Sequence, residues 1–271
     1  MRIDGCIALV LGGAKGIGRE IGLSLARAGA TVVLTWFDWP EEAASMQAEL
    51  AALPGDHLAA RVDLREPEQI AALCERIRQQ YGRLDILINN IERGGMPVVH
   101  GRYTLAQWEL EMATTLRAKW WVMDSAMPLL RQADEAAVVV LSSIAGLVGR
   151  SGPAGLIFND GYAAANRAVS SFTETWARLG APTVRVNELM LGFCQTRHAE
   201  GTRGWGLLGE QERQAIRDHT LLGRTGRVEE VVKAARFLIE DASYMTGSVL
   251  RMDGGYVLGG DAVPVMPDGV E

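Results

Sequence analysis

Cys6-Ile-Ala-Leu-Val-Leu11 runs straight into Gly12-Gly-Ala-Lys-Gly-Ile-Gly18, after which Ile17, Ile21, Leu25 and Ala28 recur at helical spacing up to Gly29. An unbroken apolar run of this length reads as a strand buried on both faces. The recurrence predicts a helix, and Gly29 is a suitable stop. The glycine turn between them lets backbone approach backbone. It also aims the unpaired N–H groups of a helix N-terminus at one spot, where a phosphate can sit.

Outward from this unit the alternation repeats. Apolar runs predict strands over 31–37, 58–62, 84–89, 137–142, 184–189 and 248–252. Periodic segments predict helices over 40–53, 67–81, 105–131, 162–179 and 228–239. Strands alternating with helices build right-handed crossovers and a parallel sheet. The expected fold is α/β, a single doubly wound domain over 1–256 with a seven-stranded, mostly parallel sheet flanked by helices. Two segments break the alternation: 192–222, expected to be a substrate lid, and the Pro-containing tail 257–271.

Composition removes several classes of function. Of 271 residues, 27 are Lys or Arg and 33 Asp or Glu, a net charge of −6 that argues against a nucleic-acid partner. Cys6, Cys74 and Cys194, and the four histidines, stand apart from one another, so no metal site is expected. The N-terminal apolar run is too short for a signal segment or membrane span, so a cytoplasmic protein with no membrane partner is expected.

From end to end the chain resembles the short-chain dehydrogenase/reductase family. The resemblance is carried by Gly12, Gly16 and Gly18, by Asp63-Leu64, and by Asp85-Ile-Leu-Ile-Asn89-Asn90. It continues through Leu141-Ser142-Ser143-Ile-Ala-Gly146, Tyr162, and Val184-Arg-Val-Asn187 with Gly192 and Thr196. Leu222-Gly223-Arg224-Thr-Gly226, Thr246-Gly247 and Asp253-Gly254-Gly255 close the match. The resemblance implies a Rossmann-type fold and an NAD(P) cofactor. Gly12, Gly16, Ile17, Gly18, Asp63, Leu64, Asn90, Gly192 and Thr196 are then the candidate cofactor-binding residues. It also implies oligomers built through the helices over 105–131 and 161–179. Leu116, Trp120, Met123 and Met127 follow one another at helical spacing in the first, and Val169, Phe172, Trp176 and Leu179 in the second.

The family transfers a hydride between cofactor and an alcohol or carbonyl. A Tyr phenol exchanges the proton, a Ser hydroxyl holds the substrate oxygen, a Lys lowers the phenol's pKa, and an Asn completes a relay. A phenol of pKa ~10 needs that nearby cation to work as a base at neutral pH. Ser143 and Tyr162 match the serine and tyrosine, though nineteen positions apart, with 149–161 reading as an insertion. The other matches fail. The lysine position holds Asn166, and the asparagine aligns with Thr115. Glu92 replaces a glycine beside the cofactor, Leu191 replaces a proline, and Trp36 stands where the adenosine ribose is selected, with Asp38 a further ribose candidate. Lys15, Lys119 and Lys233 are the only lysines, and none is placed by the family pattern to substitute.

Three readings fit this mixture. One is a catalytically impaired subunit pairing with an intact family member, on a small-molecule substrate for which hydroxyacyl-CoA is one candidate. A second is an active enzyme using Ser143 and Tyr162 without the lysine. The third is a non-catalytic sensor of a dinucleotide or small molecule. The departures at Trp36, Glu92 and Asn166 predict weakened NAD(P) binding by this chain.

Overall fold

The computed structural model describes residues 1–91, 104–195, 205–260 and 263–266. The chain forms β1 (Ile7–Val10), α1 (Gly16–Arg27), β2 (Thr31–Trp36), α2 (Pro40–Ala51), β3 (Leu58–Arg61), α3 (Pro67–Tyr81) and β4 (Ile86–Asn89). After the undescribed stretch come α4 (Leu105–Glu111), a π-helical turn (Met112–Arg117), α5 (Ala118–Leu130) and β5 (Ala136–Ser143). Then follow α6 (Ala145–Val148), α7 (Asp160–Gly180), β6 (Val184–Leu191), α8 (Glu210–His219), α9 (Val228–Glu240) and β7 (Val249–Met252).

All seven strands pair in parallel in the order β3-β2-β1-β4-β5-β6-β7. The order reverses direction between β1 and β4, so a crevice opens at their carboxyl ends, where ligands of such sheets bind. Residues alternate sides along each strand. Leu9, Leu87, Val138, Val140 and Val186 meet α3, α5 and α7 on one face. Val10, Ile88, Val139 and Leu189 meet α1 and α9 on the other. Burial on both faces is why the strands are nearly all apolar.

The helix expected over 105–131 is not a single α-helix. Its N-terminus is set by Thr104, whose hydroxyl accepts from Gln107 N at 3.3 Å while the Gln107 side chain accepts from Thr104 N at 2.7 Å. Eight residues after Thr104 the ladder widens to i→i+5 over Met112–Arg117 before α5 resumes. Such wide turns cluster at functional sites because they re-aim side chains along one helix face, and Thr115 lies within this one. The suspected insertion over 149–161 follows α6 and holds a 3₁₀ turn over Gly152–Leu156. The segment expected to be a lid holds a 3₁₀ turn over Trp205–Leu207 and α8, with 196–204 outside the described residues.

Candidate active site

The glycine turn is held open by what surrounds it. Gly12 and Gly16 take φ of +66° and +61°, backbone that side chains disfavour. A Cβ on Gly18 would stand 2.3 Å from Gly12 O and 2.6 Å from the Asn90 amide nitrogen. Asn90 Nδ2 donates to Leu11 O at 3.2 Å and Gly12 N donates to Thr35 Oγ1 at 3.2 Å, locking the turn between β4 and β2. Lys15, the N-cap residue of α1, makes no side-chain cap, which leaves first-turn N–H groups that could hold an anion.

The cleft, of about 420 Å³, is lined by Gly12, Gly16, Ile17, Asn90, Ser143, Tyr162 and Gly192. The structure therefore brings together most of the residues picked out in the sequence. Asp63 and Leu64 line an adjoining pocket with Trp36, Phe37 and Asn90. Thr196 and Glu92 lie outside the described residues.

At the β2 end the polar groups are already engaged with one another. Asp63 receives the Arg65 guanidinium, Nε lying 2.8 and 3.1 Å from its two oxygens, and the Arg65 backbone N–H. That bond and charge hold the Arg65 pKa up. Arg61 stacks over Trp36 and Phe37, its guanidinium carbon 5.7 and 5.5 Å from the rings. Lys15 Nζ sits 3.1 Å from the centre of the Trp39 ring and 3.6 Å from Glu42. These are cation–π and ion-pair contacts that a ligand would have to displace.

At the other end Ser143 terminates β5 and Tyr162 stands in the first turn of α7, both buried against the cleft. Asn159 caps that helix, its Oδ1 accepting from Tyr162 N at 2.7 Å. Asn159 Nδ2 donates to Glu111 Oε1 at 3.1 Å, and Thr115 Oγ1 lies 3.3 Å from Glu111 Oε2. Glu111 is thus a buried carboxylate beside the site that sequence reasoning missed. Its signal was faint: a charge at helical spacing from Thr115, four residues on. Asn166 is fully buried, donating from Nδ2 to Tyr162 O at 3.0 Å and accepting at Oδ1 from Ser143 N at 3.0 Å.

An aromatic wall backs Tyr162. Phe158 and Phe193 stack with centroids 5.3 Å apart, and Phe193 meets Tyr256 edge-on at 5.1 Å. Tyr256 Oη accepts from Ala154 N at 2.7 Å, anchoring the insertion, and burial pushes the phenol up to about 12. Burial also pushes the Cys194 thiol up to about 12, which leaves it unreactive. Among the described residues no cluster of three His, Cys, Asp or Glu could hold a metal ion. No described helix is long and apolar enough to cross a membrane.

A family profile described as enoyl-(acyl carrier protein) reductase matches residues 12–257. The chain belongs to the short-chain dehydrogenase/reductase family. It is 32% identical over 262 residues to the Thermotoga maritima 3-oxoacyl-(acyl-carrier-protein) reductase FabG, covering 95% of this chain and 100% of the relative. The Escherichia coli K12 enzyme of the same name is 30% identical over 259 residues, covering 94% and 98%. A solved Serratia marcescens short-chain dehydrogenase/reductase, a double mutant, superposes with a TM-score of 0.81 at 25% identity, covering 95% of this chain and 100% of that one.

The residues fit the family's nicotinamide cofactor unevenly. The glycine turn and the uncapped start of α1 suit its pyrophosphate. Asn166, turned back onto Ser143 N and Tyr162 O, has no charge to offer the nicotinamide ribose, and each end of its amide already holds a bond within the core. At the adenosine end Asp63 is tied to Arg65.

Proposed function

We propose that this chain is a catalytically impaired member of an alcohol/carbonyl oxidoreductase family. It keeps the scaffold and cleft and works beside an intact short-chain dehydrogenase/reductase subunit. The observation that carries this is the Asn166 side chain, which ties β5 to α7 where the family's proton transfer needs a cation. A neutral amide supplies no charge to stabilise a phenolate, and this one donates to the Tyr162 backbone carbonyl. Exposed Trp108 and Trp120 on the α4–α5 helix and exposed Leu179 on α7 support pairing through these helices. The 3-oxoacyl carrier-protein relatives favour an acyl thioester as the partner's substrate, hydroxyacyl-CoA among them, and a cytoplasmic setting. Purified chain, assayed with NADH and NADPH on 3-oxoacyl thioesters and on a panel of ketones, is expected to show little or no turnover. Rates comparable to an intact family member would overturn the reading.

One set of observations favours a second reading, an active enzyme without the lysine: Ser143, Tyr162 and the glycine turn line the same cleft. That reading requires turnover lost in Tyr162→Phe.

A further inference from the structure

The α5/α7 face of the sheet is apolar except directly beneath the site. Asn89, Val140 and Glu188 are paired neighbours on three adjacent strands, and Ser142 stands one row above. Asn89 follows Leu87, Ser142 follows Val140, and Glu188 follows Val186, each two residues on, so all three share the face of that core. Onto the same place α5 brings Lys119, one turn before Met123, and α7 brings Thr173, one turn after Val169. Asn89, Lys119, Thr173 and Glu188 are each completely buried.

The groups are partly matched already. Asn89 Nδ2 donates to Lys119 O at 3.2 Å, and Ser142 Oγ donates to Glu188 Oε1. Three buried side-chain oxygens remain without a partner: Asn89 Oδ1, Thr173 Oγ1 and Glu188 Oε2. An ammonium group carries three donors and no acceptor. A side chain on a helix also leans toward the N-terminus, which aims Lys119 along the α5 face toward Thr115. Burial raises the Glu188 carboxyl, while the Ser142 and Ser170 hydroxyls and the Lys119 charge pull it back down.

We infer that Lys119 is the hub of a buried polar cluster, its ammonium group linked through water to the open oxygens of Glu188, Asn89 and Thr173. In this cluster Lys119 and Glu188 act as positioning residues. Asn89 precedes Asn90, which locks the glycine turn, and Ser142 precedes Ser143. One buried charge pair thus ties the phosphate half of the cleft to the serine half. The positive charge here serves the fold, whereas Asn166 leaves the proton-transfer position neutral. The inference stands apart from the proposed loss of activity, because its tests read structure rather than turnover.

Three lysines make the wild-type chain its own test. With 15N-lysine label, Lys119 is expected to give an ammonium signal protected from solvent exchange, unlike Lys15 and Lys233. A Lys119 signal at the neutral-amine shift, or one exchanging as fast as the other two, would overturn the cluster. The second test is a double-mutant cycle of Lys119→Met and Glu188→Gln followed by denaturation. Each single change is expected to lower the folding equilibrium constant by about a hundredfold, because the surviving partner is stranded in the core. The pair together should recover at least about tenfold of the summed loss. Strictly additive effects would exclude coupling. Amide exchange at Ser143 and Asn90 should speed up in both single variants, and unchanged protection there would remove the positioning role.

Discussion

Asn166 does two jobs, and a lysine, having no acceptor, could not do the first. Its carbonyl oxygen accepts the buried Ser143 N–H and its amide nitrogen reaches Tyr162 O. Asn166→Lys would restore a cation but strand the Ser143 N–H, at about 1–3 kcal/mol. The expected outcome is a lower denaturation midpoint with turnover still well below that of an intact relative, checked by urea unfolding beside the thioester assay. Recovery of ordinary family rates would show that the missing charge was the only defect. Gly18 is equally constrained, since a Cβ there overlaps Gly12 O at 2.3 Å. Gly18→Ala is expected to cost about 1–3 kcal/mol of stability, because the clash is with backbone and not with a side chain that can move.

The insertion between α6 and α7 is held by long-range bonds from Ala154 N to Tyr256 Oη and from Asn159 Nδ2 to Glu111 Oε1. Tyr256→Phe keeps the ring in its aromatic cluster and removes only the acceptor. A loss of about 1–3 kcal/mol is expected, with faster amide exchange at Ala154 as the local signature. The start of α9 responds to acid instead. The Arg224 guanidinium, helped by the Arg227 N–H, pulls the Glu230 carboxyl down to about 2. A carboxyl lowered on folding contributes stability above its unfolded value, and that contribution is lost as pH falls toward about 2. In Arg224→Gln the Glu230 resonance should titrate closer to the ordinary carboxylate range. Added salt should shrink the difference, because the pair is at the surface.

For the molecule as a whole, the exposed aromatic and aliphatic groups on α4, α5 and α7 point to association. Met123, Met127, Val169 and Trp176 are buried in this chain's own core, which accounts for half of the apolar spacing in those helices. Trp120 and Leu179 remain 38% and 52% exposed. Exposed apolar area of this kind costs about 25 cal/mol per Å² in water. Sedimentation should therefore show an oligomer, alone or with the intact partner, and Trp120→Glu with Leu179→Glu should dissociate it. A monodisperse monomer under both conditions would contradict the proposal. Dinucleotide affinity depends on the whole cleft. A loss of about 3 kcal/mol weakens binding more than a hundredfold, so calorimetry should find NAD, NADH, NADP and NADPH weaker than low micromolar.

The α/β alternation, the glycine turn and the family were legible in the residue order alone. Apolar runs, helical periods and glycines at special φ are local properties, and they survive translation into one dimension. Ser143 and Tyr162 were legible for the same reason, each sitting in a short motif. Thr115 could be placed by alignment, yet not the wide turn around it, because i→i+5 bonding follows from what the helix packs against. Lys119 was passed over because no motif marks it, although a lysine in Ala118-Lys119-Trp120-Trp121-Val122 is out of keeping with its neighbours. Its partners come from β4, β6 and α7, up to 69 positions away in the chain. Whether such a charge is exposed or buried depends on strand order and on the row in which Asn89 and Glu188 meet. Only the folded sheet sets that row, since pairing joins residues by register across strands and not by distance along the chain.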